Sequence, residues 1–349
     1  MELPQVLSAL GGDEGEGAGG MASHNMTWLS YPSKSFASTS PEEIEAFIAS
    51  QNIISRLMHC YIAFFVPMGL ISGICILIIF IKNYLQHKTK EQLDLLLLHF
   101  TISNIIMIFL SFTVIPRPDY LKATHLACSV LSFFFNFSYF NSQYVLIFIL
   151  LILLLERFLP RTALSKATQN PVSCVAFVLI YTFCLSLTEA VLVGMDNYHV
   201  ETECQSDPLF AWPEYEIVKF TFGFAIPAFL QVLSFTVLFA KKAPAEAQDL
   251  RQHIRTYAAV FIISITIFIC HLFYNVMILF RTTLKLQKSI GTPKNELMMN
   301  IAEIVLFSES CANLVFILCF HKPCKDRILE TPNLDNLIAS STRGKISLA

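Results

Sequence analysis

Seven long apolar stretches divide the chain, and none shows the regular charged positions of a soluble amphipathic helix. At about 1.5 Å per residue, each can cross the roughly 30 Å hydrocarbon core of a bilayer as a helix. The two halves show no inverted repeat, which disfavours a transporter. The pattern predicts an all-α, seven-transmembrane helix bundle, with stretches at 57–81, 95–115, 126–155, 171–195, 220–240, 256–280 and 297–320.

The polar regions at both ends set the predicted domain boundaries. Residues 1–56 are rich in Gly and Ser and contain two acidic clusters, so we predict a disordered extension there. Residues 57–330 form the membrane domain, which we expect to end in a short amphipathic helix, and 331–349 form a tail. Asn25 begins an N-x-T tripeptide, which is a glycosylation site if this end is extracellular and a chance match otherwise.

Composition supports a membrane protein and narrows its function. Hydrophobic residues make up 54% of the chain and charged residues 14%, against roughly 25% charged in soluble domains. No dense block of Lys and Arg could follow the phosphates of a nucleic acid. The ten cysteines include no C-x-x-C pair, so a zinc or thioredoxin-like site is not expected. Without a histidine-rich metal cluster or a nucleophile motif, we expect neither an enzyme nor a bound cofactor.

The distribution of Lys and Arg between the loops predicts the orientation of the helices. With the N-terminus outside, the inner side has a modest excess of basic residues, and the acidic segment 196–216 lies outside. The outer side also holds Lys219 and a basic last loop that includes Arg281 and Lys285, and that loop opposes the assignment. We predict an extracellular N-terminus and a cytoplasmic tail. The inner basic residues are Lys82, Lys88, Lys90, Arg157, Arg161, Lys166, Lys241, Lys242, Arg251, Arg255, Lys322, Lys325 and Arg327.

The last apolar stretch carries two acids, Glu303 and Glu309. A carboxylate at membrane depth costs several kcal/mol unless it faces a partner or a watery cavity, so other helices must surround this one. Glu309, Ser310 and Asn313 share one patch of the helix by their spacing. The sequence therefore predicts a polar interior that is shielded from lipid.

Local motifs on five of the stretches resemble those of rhodopsin-like (class A) G-protein-coupled receptors, and most closely those of peptide and chemokine receptors. The resemblance covers about residues 57–330. The motifs are Leu97-Leu98-His99-Phe100-Thr101-Ile102-Ser103-Asn104, similar to LLNLAISD; Glu156-Arg157-Phe158, similar to D/E-R-Y; Pro227 with Phe235, similar to the fifth-helix Pro and Tyr; Cys270-His271-Leu272-Phe273-Tyr274-Asn275, similar to CWxPYN; and Ser310-Cys311-Ala312-Asn313, similar to SCLNPxxY.

The chain departs from the family pattern at several motif positions. Asn104 replaces the usual acid of the second helix, and an acid appears instead at Glu309. In the sixth helix, His271 replaces Trp and Phe273 replaces Pro. In the family, that Trp and that Pro take part in the activation movement. The departures therefore keep open a receptor-like scavenger or decoy that binds ligand without signalling.

The resemblance implies a plasma-membrane receptor that binds an extracellular ligand between its helices and signals through a heterotrimeric G protein, with arrestin as a further partner. A peptide, a chemokine or a chemosensory small molecule of the odorant or pheromone type remain alternative ligands. Glu303 would meet a ligand amine or else pair with a neighbouring side chain. The other ligand-binding residues implied are His271, Tyr274, Tyr139 and Gln143.

The resemblance also assigns roles at the ends and in the middle of the helices. Asn104, Glu309, Ser310 and Asn313 fall on positions that line a sodium-binding cavity in the family; alternatively, Glu309 is protonated, because burial disfavours its charge. Glu156 and Arg157 would contact the G protein, or Arg157 would only extend to the interface. The family pattern pairs Cys128 with Cys204 in a disulfide. Cys324, beside Lys322 and Lys325, is a candidate for palmitoylation.

Overall fold

The computed structural model describes residues 41–87, 92–113, 121–158, 168, 170–193, 201–204, 211–240, 258–287 and 292–330. Seven helices in these ranges are long and apolar enough to cross a membrane. The predicted all-α seven-helix bundle is therefore confirmed, and one two-stranded ribbon accompanies it.

The helices are named here by their order as spans. The first span is built from Pro41–Cys60, a π-helical turn at Tyr61–Phe65, and Val66–His87; the second is Gln92–Ser111; the third is His125–Phe158; the fourth is Pro171–Leu192; the fifth is Pro213–Phe220, a π-helical turn at Thr221–Ala225, and Ile226–Ala240; the sixth is Ala258–Leu286; and the seventh is Pro293–Phe320. A short eighth helix, Lys322–Glu330, follows.

The ribbon joins two loops at one end of the bundle. β1 (Leu121–Thr124) pairs with β2 (Glu201–Cys204) in antiparallel register, with Leu121 opposite Cys204. Because β1 leads directly into the third span, this pairing places the backbone of Cys204 near the start of that helix. We call the end of the bundle that carries the ribbon the ribbon end, and we call the opposite end the eighth-helix end.

The first span begins much earlier than its apolar stretch. The helix starts at Pro41, so the prediction of disorder throughout 1–56 is wrong for 41–56. Pro at the first helical position and Glu42 and Glu45 in the next turn favour helix initiation at this point, because the fixed φ and the negative charge suit a helix N-terminus. Asn25 lies outside the described residues.

The fifth and sixth spans also extend beyond their predicted ends, and both extensions carry charges. The fifth begins at Pro213 rather than at residue 220, and the sixth continues to Leu286 rather than ending at 280. Glu216, Lys219, Arg281 and Lys285 are consequently helical and buried. Their assignment to outer loops in the charge count is wrong, because all four residues belong to helices and are buried in the bundle.

The third span forms the centre of the bundle. Its apolar window is 72% buried inside the protein, whereas those of the fourth and fifth spans are 28% buried. The first span approaches the seventh closely at Gly69, where an added Cβ would lie 2.9 Å from the Cβ of Cys311. The sixth and seventh spans pack side by side along their length. This arrangement brings the second, third, sixth and seventh spans around one interior region.

A short helix follows the seventh span, as predicted, and it packs against the first and seventh spans. His321, which precedes it, has its Nε2 2.9 Å from an Oδ1 of Asp94 at the start of the second span. Cys324 is buried, and the packing around it and the nearby Asp94 carboxylate raise the pKa of its thiol to about 12. Palmitoylation of Cys324 would require this thiol to leave its packed position.

Candidate functional site: a buried polar chain between four spans

A chain of hydrogen bonds connects the second, third, sixth and seventh spans. Nε2 of His271 lies 3.0 Å from Oε2 of Glu309, and an amide nitrogen of Gln143 lies 2.6 Å from Nδ1 of His271. Asn313 donates to Oε1 of Glu309 and, at 3.2 Å, to Oδ1 of Asn104. All five side chains are buried, so the chain forms a polar interior inside apolar helices.

Two residues that depart from the receptor motifs which the sequence resembles are direct partners in this chain of hydrogen bonds. His271 replaces the Trp of the sixth-helix motif, and Glu309 is the acid that appears in the seventh span. Their ring nitrogen and carboxylate oxygen form an ion-pair contact between these two spans. Each substitution places a polar group in an apolar interior, and the contact satisfies both groups.

Aromatic rings enclose the chain on its ribbon side. The ring of Tyr139 stacks on His271, with centroids 4.7 Å apart and planes 11° from parallel. Asn275 donates to the Tyr139 hydroxyl at 2.8 Å, and Tyr274 lies 6.0 Å from Tyr139. The structure therefore brings together four residues for which the resemblance implied ligand contact: Tyr139, Gln143, His271 and Tyr274.

Protein groups satisfy the carboxylate of Glu309. One oxygen accepts from Asn313 and the other contacts His271. Ser310, the remaining member of the predicted cavity, is 5% exposed. No group of three His, Cys, Asp or Glu side chains suited to a metal occurs among the described residues. This geometry does not require a metal ion, and we assign no metal ligand.

A second buried polar region lies nearer the ribbon end. Nζ of Lys219 is 4.4 Å from the ring centre of Phe135, 5.3 Å from that of Tyr139, and 5.4 Å from that of Tyr274. Electron-rich ring faces attract an ammonium ion at these distances. Lys219 thus connects the fifth span to the third and sixth through the rings that also contact His271.

Glu216 connects the fifth span to the sixth one turn above Lys219. Its Oε1 lies 2.6 Å from Nε of Arg281 and 2.6 Å from Nζ of Lys285. Its Oε2 accepts from Thr282 at 2.8 Å. The sequence analysis missed this cluster. The i, i+4 spacing of Arg281 and Lys285 directly beyond an apolar stretch was the signal that could have indicated a helical face.

The remaining predicted residues fall at the edges of this region or outside the described side chains. Glu303 is 1% exposed and lies one turn from Phe307, whose ring packs on Phe135 at 5.9 Å. Glu156 and Arg157 are in the last turn of the third span, at the eighth-helix end; their side chains lie outside the described residues. Cys128 is buried near the start of the third span.

Fold and site together define a multi-pass membrane protein, with a buried polar chain between the second, third, sixth and seventh of its spans. No protein-family model and no curated protein matches the chain.

Proposed function

We propose that this protein is a plasma-membrane receptor of the rhodopsin-like class, which binds an extracellular ligand and signals through a heterotrimeric G protein. The observation that carries the proposal is the polar chain, because one set of contacts connects the sixth span to the second, third and seventh. The ribbon end would face outward and the eighth-helix end would face the cytosol.

The contact between His271 and Glu309 has a strength that suits a conformational switch. A hydrogen bond to a charged group contributes about 1.5–3 kcal/mol. Allosteric coupling energies are about 1–3 kcal/mol, so a ligand that favours separation of the sixth and seventh spans could reverse this contact. Ligand contact with Tyr139, Tyr274 or Glu303 would reach His271 through the stacked Tyr139 ring. Separation would then open the eighth-helix end, where Glu156 and Arg157 lie.

We also infer that Cys128 and Cys204 form a disulfide. The cysteines that are free in the described structure are eight of the ten, which leaves Cys128 and Cys204. The ribbon register places Cys204 opposite Leu121, seven residues before Cys128. An oxidised pair at the ribbon end agrees with an extracellular location for it.

One feature favours a scavenger that binds ligand without signalling. The sixth span is a continuous α-helix from Ala258 to Leu286, through Phe273, where the family has Pro. Helix kinks are almost always found at Pro, at π-bulges or at inserted side chains. A straight sixth helix would swing less at the eighth-helix end, which is the movement that a G protein needs.

Recruitment assays distinguish the two functions. Cells expressing the chain with an N-terminal tag are first labelled without permeabilisation, which tests the orientation and the surface location. A panel of G proteins and arrestin is then tested for recruitment, with and without a ligand library. We expect recruitment of at least one G protein, lost in Arg157→Ala at equal surface expression. Ligand uptake without recruitment would instead identify a scavenger.

A further inference from the structure

His321 is the single residue between the seventh span and the eighth helix. Its backbone N–H donates to the carbonyl of Ile317 at 2.9 Å and so closes the last turn of the seventh span. Its own carbonyl accepts from the N–H of Lys325 at 3.0 Å, which forms the first turn of the eighth helix. Its φ of −75° and ψ of 118° are extended, so the chain changes direction here. The backbone torsions of His321 therefore set the direction of the eighth helix.

Contacts from two other spans hold the side chain of His321. Its Nε2 lies 2.9 Å from Oδ1 of Asp94, which is in the first turn of the second span. The ring of Phe80, on the first span, packs edge-on against the imidazole, with the ring centroids 5.8 Å apart. The contact with Asp94 needs no added proton, because a neutral imidazole can carry its hydrogen on Nε2 and donate it to a carboxylate. These contacts restrain the hinge residue.

The eighth helix in this position covers the thiol of Cys324. Cys324 is fully buried, whereas Lys322 and Lys325 on the same helix are exposed. Burial, and to a smaller extent the carboxylate of Asp94, raises the pKa of the thiol to about 12. Reaction of Cys324 with a water-soluble reagent therefore reports whether the eighth helix has left its docked position.

A deeper contact joins the same two spans that Asp94 and His321 connect. Asn313 of the seventh span donates to Oδ1 of Asn104 on the second span at 3.2 Å. At about 1.5 Å per residue, the two contacts lie about 12–15 Å apart along the helices. Displacement of the seventh span away from the second would lengthen both contacts. The contact between Asp94 and His321 is thus placed to transmit such a displacement to the eighth helix.

We propose that the contact between Asp94 and His321 locks the hinge between the seventh span and the eighth helix, and that opening of this lock exposes the thiol of Cys324. The lock is closed while the second and seventh spans lie side by side, as they do in this structure. The proposal goes beyond G-protein coupling and does not depend on it. Purified protein tests it without a ligand or a G protein.

Loss of the lock should change the reactivity of Cys324 by a measurable factor. A buried thiol reacts only in those molecules in which the docked helix has opened, so its rate follows the population of the open form. A hydrogen bond to a charged group contributes enough free energy to change such a population by about tenfold or more. Removal of either partner of the lock should therefore accelerate the reaction by about that factor.

Labelling of the purified full-length protein with N-ethylmaleimide at pH 8 tests the proposal, and mass spectrometry localises the label to Cys324. We expect Asp94→Asn and His321→Phe each to be labelled about tenfold faster than the wild type. His321→Phe keeps an aromatic ring beside Phe80 and leaves the Asp94 carboxylate in place, but it removes the hydrogen-bond donor. The double variant should react no faster than the faster single variant, because both substitutions remove the same contact.

The matched control is Asp326→Asn. Asp326 is an exposed acid on the eighth helix, two residues from Cys324, so its loss changes the charge near the thiol and leaves the lock intact. This variant should be labelled at the wild-type rate. If neither variant of the lock folds, Asp94→Glu, which keeps the charge and displaces the carboxylate, should still be labelled faster than the wild type. The proposal would be overturned by no acceleration in these variants of the lock, by acceleration in Asp94→Asn alone, by equal acceleration in Asp326→Asn, or by independent effects that multiply in the double variant.

Discussion

Two buried acids, Glu216 and Glu309, each contact basic side chains of the sixth span. Glu216 bridges Arg281 and Lys285 near the ribbon end, and Glu309 meets His271 deeper in the bundle. At residue scale, the free energy of such a contact depends on all partners being present. Removal of one partner leaves a buried charge without its counter-charge.

Glu216→Gln should destabilise the protein strongly. It leaves Arg281 and Lys285 in the interior without their shared carboxylate, and loss of one partner from a buried ion pair costs about 3–5 kcal/mol. Thermal unfolding of the purified variant measures this. The control is Glu214→Gln, which removes an exposed carboxylate from the same helix turn. Equal stability of the two variants would show that the contacts of Glu216 with Arg281 and Lys285 contribute nothing to the stability of the fold.

Cys324 should react slowly with maleimide at pH 8. Its thiol is buried and its pKa is raised to about 12, so the reactive thiolate is scarce far below that pH. Lys325→Cys in a Cys324→Ser background places an exposed thiol at the next position as a control. Mass spectrometry follows the labelling. Rapid labelling of Cys324, or its acylation in cells, would mean that the eighth helix leaves the bundle readily.

At the scale of the elements, the helices themselves were predictable and their contacts were not. Long apolar stretches reveal helices that cross a bilayer, and all seven were found. The ends of the fifth and sixth spans were missed because Lys219, Arg281 and Lys285 read as loop charges when each stretch is considered alone. The contact between His271 and Glu309 depends on the register between the sixth and seventh spans. Residue spacing within a single helix does not predict that register. Pro41 was the overlooked start signal of the first span.

The π-helical turn Thr221–Ala225 brings the fifth span close to the third at Gly223. A Cβ added there would lie 2.5 Å from the ring of Tyr139 and 2.9 Å from that of Phe140. Tyr139 stacks on His271, so the fifth span supports the polar chain through this ring. A π-helical turn also leaves a carbonyl available to side chains, and Tyr144 donates to that of Phe222 at 2.8 Å.

Gly223→Ala should therefore destabilise the bundle by about 1–3 kcal/mol, because the extra methyl group overpacks a filled interior. Thermal unfolding checks the value. Thr221→Ala in the same turn is the control, since the Thr221 hydroxyl donates only within its own helix, to the carbonyl of Ile217. If Gly223→Ala were as stable as the wild type, the close approach of the two spans would not be a constraint.

At the scale of the whole molecule, buried polar and aromatic groups connect the fifth span, through the third, sixth and seventh, to the middle of the second. Lys219 and the aromatic rings lie toward the ribbon end, the pair of His271 and Glu309 follows, and Asn313 and Asn104 continue the chain across to the second span. Lipid-facing side chains on the outside are apolar, so the charges and hydrogen-bonding groups that could respond to a ligand are concentrated inside. The proposed receptor function requires such an arrangement.

The most direct test of this account is basal G-protein recruitment by Glu309→Gln, compared with the wild type and with Ser310→Ala at equal surface expression. Loss of the carboxylate weakens the contact between the sixth and seventh spans, because a neutral amide replaces the charged acceptor of His271. The account predicts higher ligand-independent recruitment for Glu309→Gln and none of this increase for Ser310→Ala. Unchanged or lower recruitment by a folded, surface-expressed Glu309→Gln would contradict it.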